Sequence, residues 1–183
     1  MVLWLLLGLL ALLALIAVSL YNSLVSLRVR SDEAWSGIAT QLKRRHDLIP
    51  NLVETVKGYA AHERGVFERV TEMRSRAMSA TTPAQAAQAE GLLGQALRGL
   101  YAVAENYPEL KANQNFLSLQ QSLAETENAI AGSRQAYNGV VRDLNTRIQT
   151  VPSSVIAGMF DFRPREFFEI EDAGDRAVPQ VRF

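Results

Sequence analysis

The N-terminal residues form the longest apolar run in the chain. Met1 to Leu27 contains no Asp, Glu, Lys, Arg or His, and Val2 to Leu20 consists of Leu, Ala, Val, Ile, Trp, one Gly and one Ser. A helix of about 20 apolar residues spans the hydrocarbon core of a bilayer. The pattern therefore predicts that residues 1–27 are a transmembrane anchor in contact with the lipid bilayer.

A cleaved signal peptide is the competing interpretation of this run. Such a peptide has a basic start, a shorter apolar core and a cleavage site of small residues after it. Here no Lys or Arg precedes the run, and Ala11, Ala14 and Ala17 lie inside it. Cleavage there would leave an apolar stub, so the uncleaved anchor is favoured.

The charges that flank the span predict its orientation. Arg28 and Arg30 follow it, and nothing basic precedes it except the α-amino group. Loops rich in Lys and Arg tend to stay in the cytoplasm. We expect the N-terminus to face out and the C-terminal domain to be cytoplasmic.

Apolar positions after the span recur at helical spacing. One seven-residue column contains Trp35, Leu42, Ile49 and Val56, and its companion contains Ile38, Leu52 and Tyr59. This spacing places an apolar stripe on one helix face. Pro50 removes a backbone donor, so the helix should kink or break there. The columns keep their phase across Pro50, which favours a kink in a helix that continues to about Met78.

Two further helices are predicted in the second half of the chain. Thr82 and Pro83 resemble an N-cap and first-turn pair, opening a helix that ends near Glu105. Pro108 then starts a helix to about Thr150. Five successive heptad steps in it carry large apolar residues: Phe116, Leu123, Ile130, Tyr137 and Leu144. Heptads of this kind are typical of a coiled coil or bundle seam.

These elements predict an all-α fold. An N-terminal transmembrane helix (residues 1–27) is followed by an antiparallel up-and-down helical bundle with long helices (residues 28–151). The C-terminal segment (residues 152–183) contains a candidate short helix in "SSVIAGMFDF" and then many large aromatic side chains. Because these side chains are too apolar for a solvated tail, we expect the segment to pack on the bundle.

Composition and spacing argue against several classes of function. Lys plus Arg equals Asp plus Glu at 19 each, so no basic field attracts nucleic acid. Cysteine is absent, and the His-Glu pair at 62–63 lacks the second histidine of a zinc protease helix because position 66 is Val. No carboxylate and histidine set matches a di-iron bundle either. The sequence predicts no catalytic site, no metal and no cofactor.

A cluster of basic residues is the candidate contact site. Lys43, Arg44 and Arg45 could touch lipid head groups or an acidic partner. The alternative is a solvated face or ion pairs within the bundle. Phe167 and Phe168 are further candidate contacts. For His46, near Pro50, a capping or hydrogen-bonded role is favoured over a ligand role.

Three long segments resemble the LemA family of bacterial membrane proteins. They are "YNSLVSLRVRSDEAWSGIATQLKRRHDLIPNLVETVKGYAAHE", "ENYPELKANQNFLSLQQSLAETENAIAGSRQAYNGVVRDLNTRI" and "FRPREFFEIED". The resemblance implies a helical bundle on a single anchor in the bacterial cytoplasmic (inner) membrane. It implies no activity, because the family's biochemical role is not established. In many bacteria the family is associated with genes for a membrane-embedded zinc metalloprotease.

The function predicted from these features is non-enzymatic. We expect a membrane-anchored helical scaffold or adaptor of the bacterial envelope, acting by self-assembly into a homo-oligomer or by binding a partner. The alternative is a regulatory or substrate-adaptor subunit of a membrane metalloprotease. The sequence identifies neither the partner, the physiological role nor the stoichiometry.

The uncharged run predicts that the mature protein keeps its N-terminus and resists alkaline carbonate extraction from membranes. Intact-mass spectrometry of the purified protein measures directly whether the N-terminus is retained. A new N-terminus between Leu20 and Arg30 would rule out the anchor.

Overall fold

A computed structural model describes residues 1–170 and shows an all-helical protein. Within that range there are six helices and no strand. They are α1 (Val2–Lys57), α2 (Arg64–Met78), α3 (Pro83–Glu105), α4 (Pro108–Lys111), α5 (Gln114–Gln149) and α6 (Ser153–Met159). This confirms the predicted fold class. The described chain forms two compact units, residues 1–37 with 135–166 and residues 38–134 with 167–170.

Helix α1 runs without interruption through Pro50. The break that the sequence left open therefore does not occur. The apolar stripe of this helix is buried beyond residue 37 in the single chain: Ile38, Leu42, Ile49, Leu52, Val53 and Val56 are at most 8% exposed. The stripe thus belongs to the protein's own core.

The prediction that this helix continues to Met78 is wrong. Helix α1 ends at Lys57, and α2 begins only at Arg64. The backbone N–H groups of Tyr59 and Ala60 both donate to the carbonyl of Val56, at 3.0 and 2.9 Å, which closes the helix in a turn. Gly58, a weak helix former, lies at the end of α1. The turn buries Ala60 and leaves Tyr59 exposed, outside the helical column predicted for it.

The start predicted for α3 is confirmed. Thr82 has an extended backbone, its side-chain oxygen accepts a hydrogen bond from the backbone N–H of Gln85, and Pro83 is the first helical residue. A proline fits there because the first-turn N–H groups have no partner within the helix. The helix ends at Glu105, as predicted.

The single helix predicted from Pro108 to Thr150 is instead two helices. Helix α4 ends at Lys111, and α5 starts at Gln114. The side-chain oxygen of Asn113 accepts hydrogen bonds from the backbone N–H groups of Asn115 and Phe116, at 2.9 and 3.1 Å. Asn113 is therefore an N-cap inside the apparent run. The heptad pattern survives in α5, since its five apolar residues from Phe116 to Leu144 are all buried.

The unit of residues 38–134 has a continuous apolar core. It is built from the last part of α1, from α2 and α3, and from the first part of α5. Large, fully buried side chains at its centre are Ile49, Leu52, Met73, Leu93, Leu100 and Leu110. Short connections join the consecutive helices, as expected for an up-and-down bundle.

The unit of residues 1–37 and 135–166 has a smaller core. Leu24, Leu144, Ala157 and Phe162 are buried together. Asp161 has a φ of 53°, in the left-handed region, and the chain turns there. The following residues reach positions progressively earlier in α5: Arg165 exchanges hydrogen bonds with the side chain of Asn145, and the carbonyl of Glu166 accepts one from the Tyr137 hydroxyl.

Arg165 also links this segment to α1. Its guanidinium lies 2.6 Å from the carboxylate of Asp32. Burial raises the pKa of the nearby Tyr137 hydroxyl, an effect that Arg165 opposes. These contacts hold residues 165–166 against both helices of the unit. Residues 171–183, the rest of the segment predicted to pack on the bundle, lie outside the described residues.

The N-terminal part of α1 is long and apolar enough to cross a membrane, judged by its length and composition. None of this apolar window is buried within the protein. The side chains of Leu3, Trp4, Leu10 and Leu15 are each more than 60% exposed. Such a continuous apolar surface needs a covering other than water.

Ile130, at the middle heptad step of α5, is 1% exposed and provides a test of the packing. Ile130→Ala should lower the free energy of unfolding by about 2–5 kcal/mol, because it removes buried methyl groups and leaves a cavity. Leu117→Ala on the same helix, at a residue 44% exposed, is the matched control and should cost less. Equal losses in chemical denaturation would contradict the assignment of the buried face.

Candidate functional site

The candidate contact residues fall into two groups by burial. Lys43 and Arg44 are exposed, and Phe167 is 37% exposed. Arg45 is only 7% exposed, and Phe168 is fully buried. Lys43, Arg44 and Phe167 therefore remain available to a partner, whereas Arg45 is engaged inside the protein.

Arg45 belongs to a buried polar cluster centred on Glu90 of α3. The Glu90 side chain is 1% exposed, and each of its carboxylate oxygens has a partner. The guanidinium of Arg45 donates to one oxygen at 2.9 Å, and the Nε2 atom of His46 lies 2.6 Å from the other. We call Arg45, His46 and Glu90 the Glu90 cluster.

The backbone carbonyl of His46 lacks its usual helical donor, because residue 50 is a proline. In a regular helix the N–H of residue 50 would donate to the carbonyl of residue 46, but proline has no N–H. The Nε atom of Arg74 in α2 donates to that carbonyl at 2.7 Å. Arg74 thus supplies the hydrogen bond that Pro50 cannot make, which satisfies a carbonyl otherwise left unpaired.

A fourth helix reaches the cluster through Glu127. Its carboxylate lies 3.2 Å from the Arg45 guanidinium, and its side chain is 53% exposed. The Arg45 guanidinium therefore bridges a fully buried and a half-exposed carboxylate. Together with Arg74, these contacts join α1, α2, α3 and α5 through polar side chains.

A cavity of about 480 Å³ lies beside the cluster. Its polar lining includes Arg45, Glu90 and Glu127, together with Arg98 and Tyr101. Burial raises the pKa of the Tyr101 hydroxyl. The positive charge of Arg45 opposes this rise in pKa, and the negative charge of Glu127 adds to it. Leu97, Leu123 and Ile170 contribute apolar walls.

The chemistry of the cluster is that of a fixed ion-pair network. Both Glu90 oxygens are held, so this carboxylate already has the partners that a buried charge requires. Within residues 1–170, no group of three or more His, Asp or Glu side chains is placed to hold a metal ion. Removing one partner of a buried pair leaves an uncompensated charge and costs about 3–5 kcal/mol. The arrangement is suited to fixing how the four helices pack.

Sequence reasoning missed Glu90 and Arg74. Glu90 lies in the Ala-rich stretch after Thr82, and between residues 83 and 97 it is the only charged residue. It shares helical spacing with buried Ala86, Leu93 and Leu97, so a lone acid on an apolar stripe was the available signal. The signal for Arg74 was weaker: a proline within a helix implies a free carbonyl but does not indicate which donor reaches it.

Fold and cluster together define a class of protein: a helical bundle fixed by a buried ion-pair network and continued at its N-terminus by an uncovered apolar helix. The sequence profile of the LemA family matches residues 34–183. The chain belongs to the LemA family.

Curated relatives are similar in sequence over most of the chain. Magnetosome protein MamQ 2 of Paramagnetospirillum magneticum is 25% identical over 88% of this chain and 70% of its own length. Magnetosome protein MamQ of Magnetospirillum gryphiswaldense has the same identity and coverage. Protein LemA of Metamycoplasma hominis is 23% identical over 82% of this chain and 69% of its own.

Because Arg74 donates to the carbonyl that Pro50 leaves unpaired, substitutions at Pro50 and Arg74 should have coupled effects on the free energy of unfolding. Arg74→Met should cost about 1–3 kcal/mol, because it leaves that carbonyl without its donor. In a Pro50→Ala background the new backbone N–H can donate instead, so the same substitution should cost clearly less. A double-mutant cycle in chemical denaturation measures the difference.

Arg76→Met is the matched control for this cycle. Arg76 makes an exposed pair with Glu72 on the same helix, so its loss should cost about 0.5 kcal/mol or less in either background. An Arg74→Met cost that is unchanged by Pro50→Ala would show that the proline does not create the need for Arg74.

Proposed function

We propose that this protein is a membrane-anchored, non-catalytic helical scaffold or adaptor that acts by self-association and partner binding. The observation that carries the proposal is the division of α1 into an uncovered apolar part and a part embedded in the bundle core. The first part suits a lipid environment, and the second fixes a folded domain to it. Such a design presents a folded surface at a membrane.

The polar chemistry of the Glu90 cluster supports a structural role. Its charged groups pair with one another across helices, and the backbone carbonyl of His46 accepts a hydrogen bond from Arg74. A buried network of this kind favours one packing arrangement over others, a role best established for polar residues that set register. This supports a scaffold more than a reaction centre.

The self-contact is assigned to the span. The apolar stripe from Trp35 to Tyr59 would be a second candidate for self-contact, but its apolar residues from Ile38 to Val56 are buried in one chain. The apolar surface that remains on α1 is the stretch before Tyr21. Gly8 lies there with open space around it in the single chain, and because glycine has no side chain a second span could approach closely at this position.

The proposed location is the bacterial inner membrane, with the N-terminus outside and the folded part in the cytoplasm. Arg28 and Arg30 directly after the apolar run support this orientation. On the cytoplasmic side, exposed Lys43 and Arg44 offer a basic surface to an acidic partner, and Phe167 offers an apolar one. The alternative role as an adaptor of a membrane metalloprotease uses the same surfaces and stays a prediction.

The oligomeric state tests the scaffold. We expect the full-length protein, purified in detergent, to be a homo-oligomer by size exclusion with light scattering. A fragment from Tyr21 onward, which keeps the Leu24 core, should be monomeric at the same micromolar concentration. In the membrane, confinement would align the copies and raise their effective concentration, which favours the same contact further.

Gly8→Ile is the full-length control, because it adds bulk at the proposed contact without touching the folded units. It should shift the oligomer toward monomer while the helical circular dichroism is retained. If the unmodified full-length protein is a monomer, self-assembly is excluded, and binding of a different partner becomes the better explanation.

A further inference from the structure

The segment around α6 carries an apolar surface that its own unit does not cover. Val151, Val155, Met159 and Phe160 are 82%, 60%, 72% and 55% exposed. Val151, Val155 and Met159 are spaced four residues apart, so α6 presents Val155 and Met159 on one face. The opposite face holds Ser153 and Ala157, which are almost fully buried.

The composition of this segment differs from that of a solvated turn. No charged residue occurs from Ile148 to Phe160. The other short helix, α4, carries exposed Glu109 and Lys111, as expected for a helix in water. A cluster of exposed large apolar residues is uncommon on a soluble surface and marks a protein or membrane contact.

Contacts with α1 place the segment beside the end of the apolar run. The ring of Phe160 lies 4.7 Å from the ring of Tyr21, and the ring of Phe162 lies 5.9 Å from it. Ala157 shares a core with Leu24. The exposed large apolar side chains of the run end at Val18, and from Leu24 onward α1 is buried against its own unit, so Tyr21 lies at the end of the uncovered apolar surface. Tyrosine is enriched at that level of a bilayer.

Charged residues lie beside this apolar surface. Asp161, which directly follows Phe160, is paired with Arg163, whose Nε atom lies 3.1 Å from its carboxylate. A second cavity, of about 560 Å³, is lined by Ser23 and Ser26 of α1 and by Thr150 at the start of the uncharged segment. Its charged lining residues are Arg30, Arg142, Arg147 and Asp143. On another side, the Arg28 guanidinium lies 5.2 Å from the centre of the Phe162 ring. Apolar side chains at the level of Tyr21 with arginines beside them match the order of hydrocarbon and phosphate in a membrane face.

We infer that residues 151–160 are a second membrane contact, an interfacial helix whose Val155 and Met159 side chains enter the leaflet next to the span. The inference rests on the proposed anchor and extends it. An interfacial helix lies in the membrane plane and buries its apolar face by about 5–10 Å. The contact would fix the orientation of this unit at the membrane, which a single span leaves free to rotate.

Spin labelling tests the inference, since the chain contains no cysteine and single-cysteine variants can be labelled selectively. Full-length Val155→Cys and Met159→Cys proteins are labelled, reconstituted in vesicles of phosphatidylcholine and phosphatidylglycerol, and exposed to oxygen or a water-soluble nickel chelate. Oxygen concentrates in hydrocarbon and the chelate stays in water. We expect the ratio of oxygen to nickel accessibility at both sites to be several-fold higher than at Met78→Cys, an exposed position in the other unit.

A label at Leu10→Cys, in the middle of the N-terminal apolar run, separates the interfacial-helix inference from the proposed anchor. A lipid-exposed label at Leu10 with water-exposed labels at 155 and 159 would overturn the interfacial helix and leave the anchor intact. A water-exposed label at Leu10 would overturn both. Low accessibility to both reagents at 155 and 159 would mean that protein, from a second copy or from the rest of the chain, covers the face, and would also reject the inference.

Discussion

The packing of the larger unit depends on one missing hydrogen bond. Pro50 cannot donate to the carbonyl of His46, and an unpaired buried carbonyl is costly, so another helix must provide a donor. Arg74 of α2 does so, while the side chain of the same His46 contacts Glu90 of α3. One residue of α1 is thereby tied to two other helices, on its backbone and on its side chain.

The neighbouring Arg45 extends this constraint to α5. Apolar packing alone tolerates sliding and rotation of helices, since many arrangements bury similar areas. A buried carboxylate has no such freedom, because any shift that separates Glu90 from Arg45 or His46 leaves a charge without compensation. The network therefore favours one packing arrangement of these four helices over others.

Long-period features were predictable from the sequence, and local interruptions were not. The heptad column in α5 and the Thr82 cap of α3 follow from spacing and from the chemistry of helix ends. The turn after Lys57 was missed because the apolar columns continue in phase beyond it. Asn113, whose side chain caps α5, was missed because Pro108 is also a typical helix start and lies five residues earlier. The sequence alone does not show which of the two residues begins the long helix.

The buried pairs were less predictable, for a physical reason. Lys43, Arg44 and Arg45 are adjacent and chemically alike, and only the angular position on α1 directs Arg45 inward and the other two outward. That angle follows the apolar stripe, because position 45 lies in the same seven-residue column as Ile38 and Leu52. The acid that pairs with Arg45 is 45 residues away in the sequence. The sequence thus carried a signal that Arg45 faces the bundle, whereas its pairing with Glu90 required the fold; a partner contact at Lys43 and Arg44 stays a prediction.

The position of Phe160 beside Tyr21 limits how the small unit can meet a bilayer. If the span ends at Tyr21, the exposed side chains of α6 are already at the membrane face, and placing them in water would require moving the span along its axis toward the folded part. That movement would draw apolar residues of α1 from lipid, at about 25 cal/mol per Å² of apolar surface. With the proposed anchor, the two apolar surfaces favour the same depth, and α6 would make the position of that anchor more definite than the uncharged run alone does.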